Sequence, residues 1–212
     1  MMNKVRLEAL SDGVFSIVMT LLIIDIKVPH LNDTGSVREM VDTLWAMWPL
    51  FRSFYLSFML LGMYWISHHA FFHMYAKHTN RVVTLLNILY LCFISLVPFS
   101  THLIGEYPTN QVAVSVYGMN VVLIGLIQFW MIRIVIHDQE MRHETLTQRL
   151  IIQGTIRVLM PPAFAVLGMM ASFHHSSLSF FLFAFPVVFN IVPGTLNALE
   201  YAYNKVFKRR AA

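Results

Sequence analysis

The sequence alternates long apolar segments with short connections that carry charged and turn-forming residues. A helix that crosses a bilayer needs about 20 predominantly apolar residues, and six segments approach or exceed that length. They lie at about residues 5–28, within residues 44–75, and at about residues 82–103, 112–136, 156–173 and 178–203. The connections between them cover residues 29–42, 75–81, 105–111, 137–155 and 174–177. The pattern predicts an all-α, polytopic membrane protein with six transmembrane helices in one domain, residues 1–212.

The first segment is poorly suited to a lipid-facing position. Its uncharged run covers only residues 13–24 and includes the hydroxyl groups of Ser16 and Thr20. Charged residues crowd both ends of this run: Arg6, Glu8, Asp12, Asp25 and Lys27. Charges this close to the hydrocarbon are costly unless they face a protein interior or water. The first helix is therefore predicted to lie at the centre of an assembly.

One face of this first helix is aliphatic. Ile17, Thr20, Leu21 and Ile24 share that face because they are spaced i, i+3, i+4 and i+7. Asp12 lies about 140° around the helix from Ile17, almost on the opposite side. Two interpretations are open: an ordinary buried stripe that packs on a neighbouring helix, or a pore-lining helix with a hydrophobic constriction.

The residues around Asp12 form a recognisable motif. The sequence Arg6-x-x-x-Leu10-Ser11-Asp12, followed by Gly-Val-Phe-Ser-Ile-Val-Met-Thr-Leu-Leu, resembles the signature of the transmembrane protein 175 family. This family consists of potassium channels that are lysosomal in animals and have shorter bacterial relatives. Its pattern is Arg-x-x-x-Phe-Ser-Asp, so Leu10 departs from the pattern at the aromatic position.

Two later segments are similar to the family in character. They run from Ser57-Phe58 to Trp65-x-x-His68-His69, and from Asn87 to Pro98-Phe99. The resemblance therefore spans at least residues 6–99. It implies the bacterial six-helix form, in which four identical subunits assemble and the first helix of each subunit lines the pore.

The resemblance also implies functions for the aliphatic face of the first helix. Ile17, with Leu21 and Ile24 further along, is expected to form a hydrophobic gate around the axis. Thr20 occupies the position that is linked to potassium preference in bacterial relatives. One hydroxyl per subunit is a weak filter, so the expected activity is a cation channel that is potassium-selective but only weakly so over sodium. A threonine in a membrane helix commonly bonds its own i−4 carbonyl instead, and that alternative stays open for Thr20.

The carboxylate of Asp12 needs a partner if it is buried within the membrane. The second helix runs back to the side of the membrane where Asp12 begins the first helix. His68 or His69 is therefore predicted to hydrogen-bond Asp12. The expected network, which serves subunit integrity rather than the pore, comprises Arg6, Ser11, Asp12, His68, His69 and Asn87.

The distribution of basic residues predicts the orientation in the membrane. Twelve of the fifteen Lys and Arg residues fall on one side of the six-segment plan. They are Lys4, Arg6, Lys77, Arg81, Arg133, Arg142, Arg149, Arg157, Lys205, Lys208, Arg209 and Arg210. Positive charge marks the cytoplasmic side. A multi-pass protein of the cell membrane with both termini in the cytoplasm is expected.

Composition excludes several other functions. The chain is 57% hydrophobic and 12% charged, with a mean hydropathy of +0.62, which is far more apolar than a soluble domain. Its net charge of +4 follows from topology and does not indicate nucleic-acid binding. The sequence carries no phosphate-binding glycine loop, no catalytic signature and no Thr-Val-Gly-Tyr-Gly filter. The predicted protein is therefore not an enzyme, and no cofactor or resident metal is expected. Its expected partners are other copies of the chain, the permeant K⁺ and the lipid bilayer.

Two alternatives remain. An ion-coupled secondary transporter is possible, although no inverted repeat and no matching pair of broken helices is visible. The second alternative is a haem or metal protein, because His69 and His73 share a helix face at i, i+4 and can ligate together. One such pair is too few for a membrane oxidase, so no metal is assigned. Saturable exchange in liposomes would favour the transporter, and an absorbance spectrum would detect haem.

Overall fold

The computed structural model describes residues 4–32, 36–174 and 176–192. Within these residues the chain is helical, and its only β-bridge joins Ala76 to Arg142. The helices are, in chain order, α1 (Lys4–Leu21), α2 (Val37–Ala46), α3 (Trp48–Ala70), which continues into a π-helical turn (Phe71–Tyr75), α4 (Arg81–Ser95), α5 (Val97–Glu106), α6 (Gln111–His137), α7 (Gln148–Ala171) and α8 (Ser176–Ile191). The all-α prediction is confirmed for the described part of the chain.

Three helical stretches in the described residues are long and apolar enough to cross a membrane: residues 81–106, 111–137 and 148–171. A fourth is obtained if α2 and α3 with its π turn, which meet at a 49° bend, form one span. α1 is 18 residues long but contains four charged residues, and α8 is only 16 residues long. Helices thus lie in all six predicted segments, whereas six membrane crossings stay a prediction.

Two boundaries differ from the sequence prediction. α1 ends at Leu21 rather than near residue 28, and in the turn that follows the Ile24 amide donates to the Leu21 carbonyl at 3.1 Å. α2 begins inside the predicted connection 29–42, because the Ser36 side chain caps it by accepting a hydrogen bond from the Glu39 amide at 3.2 Å. The end of the sixth segment and the basic residues 205–210 lie outside the described residues.

Prolines shape the long apolar segments. The third segment is interrupted at Leu96, where α4 ends and α5 begins with Pro98 in its first turn. α7 contains Pro161 and Pro162 in its interior. A Cβ atom added to Gly125 of α6 would lie 2.7 Å from Pro162 Cγ, so only glycine permits this close approach between α6 and α7.

Polar side chains connect the helices inside the apolar core. Thr101 of α5 donates to the Ser57 hydroxyl of α3 at 2.8 Å, and Ser57 also lies 3.1 Å from the Tyr117 hydroxyl of α6. All three side chains are buried. Interhelical hydrogen bonds of this kind average about 0.6 kcal/mol in membrane proteins, so they set the register of helices that apolar packing holds together.

Two connections meet at one end of the helical bundle. The Lys77 amide donates to the Met141 carbonyl at 2.8 Å, and the Lys77 ammonium lies 2.9 Å from the Glu144 carboxylate. This ammonium lowers the pKa of the Glu144 carboxyl from its usual value. The connections that follow α3 and α6 therefore lie at the same end, as their shared basic character predicts.

Candidate functional site

The two sides of α1 differ in burial. Leu7, Phe15 and Val18 face the chain's own helices and are at most 3% exposed. The aliphatic face is uncovered in the single chain: Ile17 is 60% exposed, Leu21 41% and Ile24 66%. Ile24 lies in the turn after α1 and still projects outward. α1 thus packs against the other helices of its own chain along the side of Leu7, Phe15 and Val18, and its aliphatic face has no neighbour among the described residues of the single chain.

Thr20 lies on the same uncovered face. Its hydroxyl donates to the Ile17 carbonyl at 2.8 Å and lies 3.1 Å from the Ser16 carbonyl. The i−4 carbonyl of Ser16, the partner that the sequence left open, is within hydrogen-bond distance, but the shorter contact is to the i−3 carbonyl of Ile17. Because the hydroxyl proton is used within the helix, the exposed oxygen presents its lone pairs outward as an acceptor. This geometry suits a cation or a water molecule of its hydration shell.

On the buried side, α1 is joined to α3 and α4 through a hydrogen-bonded network. The Ser11 hydroxyl donates to the Leu7 carbonyl at 2.8 Å and accepts from Asn87 Nδ2 at 3.2 Å. Asn87 Oδ1 lies 2.7 Å from His68 Nε2. An amide oxygen can only accept, so His68 carries a proton on Nε2. Tyr90 stacks on this imidazole with ring centroids 5.2 Å apart. Ser11, His68 and Asn87 are at most 2% exposed.

Asp12 has a different partner from the one that the sequence predicts. Trp65 Nε1 donates to Asp12 Oδ1 at 2.8 Å, while His68 Nε2 faces Asn87. The expected hydrogen bond from a histidine to Asp12 is therefore wrong, and Asp12 is exposed rather than buried in the single chain. The reason is register, because the indole lies one helical turn before His69 and is long enough to reach α1. Arg6 is also exposed and lies outside this network.

A second contact joins the same two helices one turn away. His73 Nδ1 lies 2.9 Å from Glu8 Oε1. His69 lies between the two contacts, with its ring stacked on Trp65 at 5.8 Å and 4.1 Å from the ring of His73. α1 thus contributes two carboxylates one turn apart, Glu8 and Asp12. α3 and its π turn contribute three aromatic rings at successive turns, those of Trp65, His69 and His73.

Sequence reasoning assigned no function to Trp65 and Glu8. Both positions carried a signal that was available: Glu8 and Asp12 are one turn apart on α1, as Trp65, His69 and His73 are on α3. Two antiparallel helices with such complementary spacing are expected to pair along these faces. The relative height of the two helices, which decides the partners, is not contained in the spacing.

Known proteins are similar to this chain in sequence and in fold. Residues 6–98 match the family described as Endosomal/lysosomal potassium channel TMEM175. A protein of Streptomyces collinus that is named as a potassium channel is 38% identical over 125 residues, which is 57% of this chain and 59% of that protein. The Gallus gallus protein named Endosomal/lysosomal proton channel TMEM175 is 37% identical over 111 residues, which is 50% of this chain and 22% of that protein.

A solved structure extends the likeness beyond the matched residues. It is described as a lysosomal potassium-selective channel TMEM175 homolog from Chamaesiphon minutus, and it superposes with a TM-score of 0.75 at 28% identity. The superposition covers 88% of this chain and 95% of that one. The family is one of ion channels and not of enzymes. Residues 6–98 thus match the model of this family, and the fold of the chain is similar to that of the solved Chamaesiphon homolog.

Proposed function

We propose that the chain forms a potassium-preferring cation channel in which the first helix of each subunit lines the pore. The observation that carries this proposal is the pair of opposite faces on α1. One face is buried in the chain's own bundle, and the other presents an exposed aliphatic stripe with the hydroxyl of Thr20, and the exposed Ser16 lies one turn before it. Such a stripe requires a partner or a water-filled axis, since α1 carries charges that oppose a lipid-facing position.

Several copies of α1 around an axis are needed to enclose a pore. A homotetramer in the cell membrane, with six spans per subunit and both termini in the cytoplasm, is the assembly that we infer. The basic residues at the end where the connections after α3 and α6 meet support this orientation. The single domain of residues 1–212 then supplies one quarter of the channel.

The hydrophobic gate is formed by Ile17, Leu21 and Ile24. Branched side chains that narrow an axis exclude water when the pore is tight, and a dry constriction blocks ions. The exposed fraction of each of these side chains in the single chain is what an axial position requires. A hydrated ion passes only when the ring widens enough to hold water.

Selectivity is assigned to Thr20, which offers the polar oxygen of this face. With its proton donated to the Ile17 carbonyl, the oxygen can accept from the hydration shell of K⁺. A single such ring predicts modest discrimination, about tenfold for K⁺ over Na⁺, or ~1.4 kcal/mol. We propose K⁺ and not H⁺ as the permeant ion on the basis of the relatives. The Streptomyces protein named as a potassium channel matches more of this chain than the chicken protein named as a proton channel.

The contacts around Ser11 and Asp12 hold α1 at the angle that keeps its aliphatic face on the axis. Ser11, Asn87 and His68 bind its buried side, and Trp65 binds Asp12 beside them. His69 lies beside these contacts, and Arg6, which makes none of them in the single chain, is included in the proposed set only as a residue of the sequence motif. These side chains act on assembly and do not contact the ion.

The bi-ionic reversal potential of the purified protein in planar bilayers tests the function, with wild type compared to Thr20→Ala. We expect a K⁺-directed potential in the wild type and its loss, with current retained, in the variant. Thr84→Ala is the matched control because the Thr84 hydroxyl on α4 also donates to a backbone carbonyl of the preceding turn, that of Asn80, at 2.9 Å. A reversal potential unchanged by Thr20→Ala removes Thr20 from the filter. Saturable exchange without a cation current would instead favour a transporter.

A further inference from the structure

We propose that Glu8, His69 and His73 form a binding site for a divalent metal ion of the zinc class. Their potential ligand atoms all lie within 4.8 Å of one another. Two imidazoles and one carboxylate are a ligand set that zinc binds with bonds of about 2.0–2.2 Å. Tetrahedral ligand atoms then lie ~3.4 Å apart, so side-chain movements of about 1 Å close the cluster around an ion.

The backbone places the two histidines for joint ligation. His69 is in the last turn of α3, and His73 is in the π-helical turn that follows. Single π turns inside helices occur often at functional sites. The two rings face each other with centroids 4.1 Å apart. This arrangement leaves one nitrogen of each ring available on the side of Glu8, whose carboxylate already lies 2.9 Å from His73 Nδ1.

The surroundings of the cluster support a metal site. Trp65 stacks on His69 and is itself held by its hydrogen bond to Asp12, so the orientation of the His69 ring is fixed by a neighbour. The Glu8 side chain is 16% exposed, and that of His73 is 57% exposed. A largely buried carboxylate and a solvent-facing imidazole give the ion an entry path from water and a fourth position for a water molecule.

Metal binding has a structural consequence that does not depend on the proposed function. The carboxylate comes from α1 and both imidazoles come from the α3 segment, so a bound ion connects the two helices. A ligand that binds only the folded chain stabilises it in proportion to the logarithm of its concentration above Kd. Zn²⁺ should therefore raise the unfolding temperature of the purified protein.

The test is a titration of the purified, chelator-treated full chain in detergent with Zn²⁺ alone, followed by calorimetry and by the unfolding temperature. Co²⁺ in place of Zn²⁺ reports the ligand geometry by its visible absorption. We expect one ion per chain with micromolar Kd, and at least a tenfold weaker Kd in Glu8→Gln and in the double variant His69→Asn/His73→Asn. His137→Asn should bind as wild type, because His137 is an exposed histidine whose Nδ1 bonds its own helix.

Two results would overturn the proposal. Absence of Zn²⁺ binding by the wild type would leave Glu8 and His73 as an ion pair only. Equal Zn²⁺ affinity in wild type and in Glu8→Gln would place the ion elsewhere. The Glu8→Gln variant keeps shape and removes only charge, so its folding can be verified by its elution as the wild-type oligomer. Neither result depends on whether the protein conducts ions.

Discussion

Replacement of Asn87 by Leu removes the hydrogen bonds through which Asn87 of α4 joins Ser11 of α1 to His68 of α3, and it preserves side-chain volume. The amide is fully buried and makes two hydrogen bonds, to Ser11 at 3.2 Å and to His68 at 2.7 Å. Leucine satisfies neither partner. The His68 Nε2 proton is then left without an acceptor among buried aromatic rings, and an unsatisfied buried donor costs about 1–3 kcal/mol.

The net loss is expected to lie in the upper half of that range. A lost polar contact between membrane helices averages about 0.6 kcal/mol, because the unfolded segments in the membrane also find partners. Added to the stranded His68 donor, this gives ~2–3 kcal/mol. A change of this size lowers the unfolding temperature of a 150–250-residue protein by about 4–12 °C.

The assay is thermal unfolding of the detergent-solubilised protein, with Ser95→Ala as the matched control. Ser95 is an exposed polar residue of the same helix, whose hydroxyl bonds its own i−4 carbonyl at 2.9 Å. Its removal should leave stability within about 0.5 kcal/mol of wild type. An Asn87→Leu protein as stable as Ser95→Ala would refute the network as a stabilising element.

Two further predictions concern the proposed channel. Ile17→Asn should raise leak current in bilayers, because an amide lets water enter the constriction; unchanged conductance and closure would show that Ile17 is not axial. Asp12→Ala should reduce the yield of tetramer in size-exclusion chromatography before it alters ion selectivity, because Trp65 loses its acceptor at the end of α1. A stable tetramer with altered selectivity would mean that Asp12 acts on the pore instead.

The uncovered face of α1 is the feature that the sequence predicts best. Ile17, Thr20 and Leu21 follow helical periodicity and are exposed together in the structure, whereas Asp12 on the other side of the wheel is exposed as well instead of buried. The periodicity fails only beyond Leu21, where α1 ends and Ile24 lies in a turn. The apolar run continues through this turn, so hydrophobicity alone could not locate the end of the helix.

The partners of Asp12 were less predictable. His68 or His69 is predicted as the partner because the second helix runs back to the side of the membrane where Asp12 begins the first helix, and Trp65 is not among the predicted partners. An indole has one N–H donor on a long, rigid frame, and the sequence does not specify how far along α1 this frame reaches. The pairing of Glu8 with His73 depends on the same helix offset, together with a π turn that composition does not signal.

The most direct test of the central claim is block by silver ions of a cysteine on the aliphatic face. The chain has a single cysteine, the exposed Cys92, so Cys92→Ser provides a thiol-free background. Ile17→Cys and Val18→Cys are then compared, because Ile17 is 60% exposed and its neighbour Val18, on the buried side of α1, is 3% exposed. The account predicts that Ag⁺ blocks the K⁺ current of Ile17→Cys and leaves that of Val18→Cys and the background unchanged. A K⁺ current in Ile17→Cys that is insensitive to Ag⁺ would contradict a pore lined by α1.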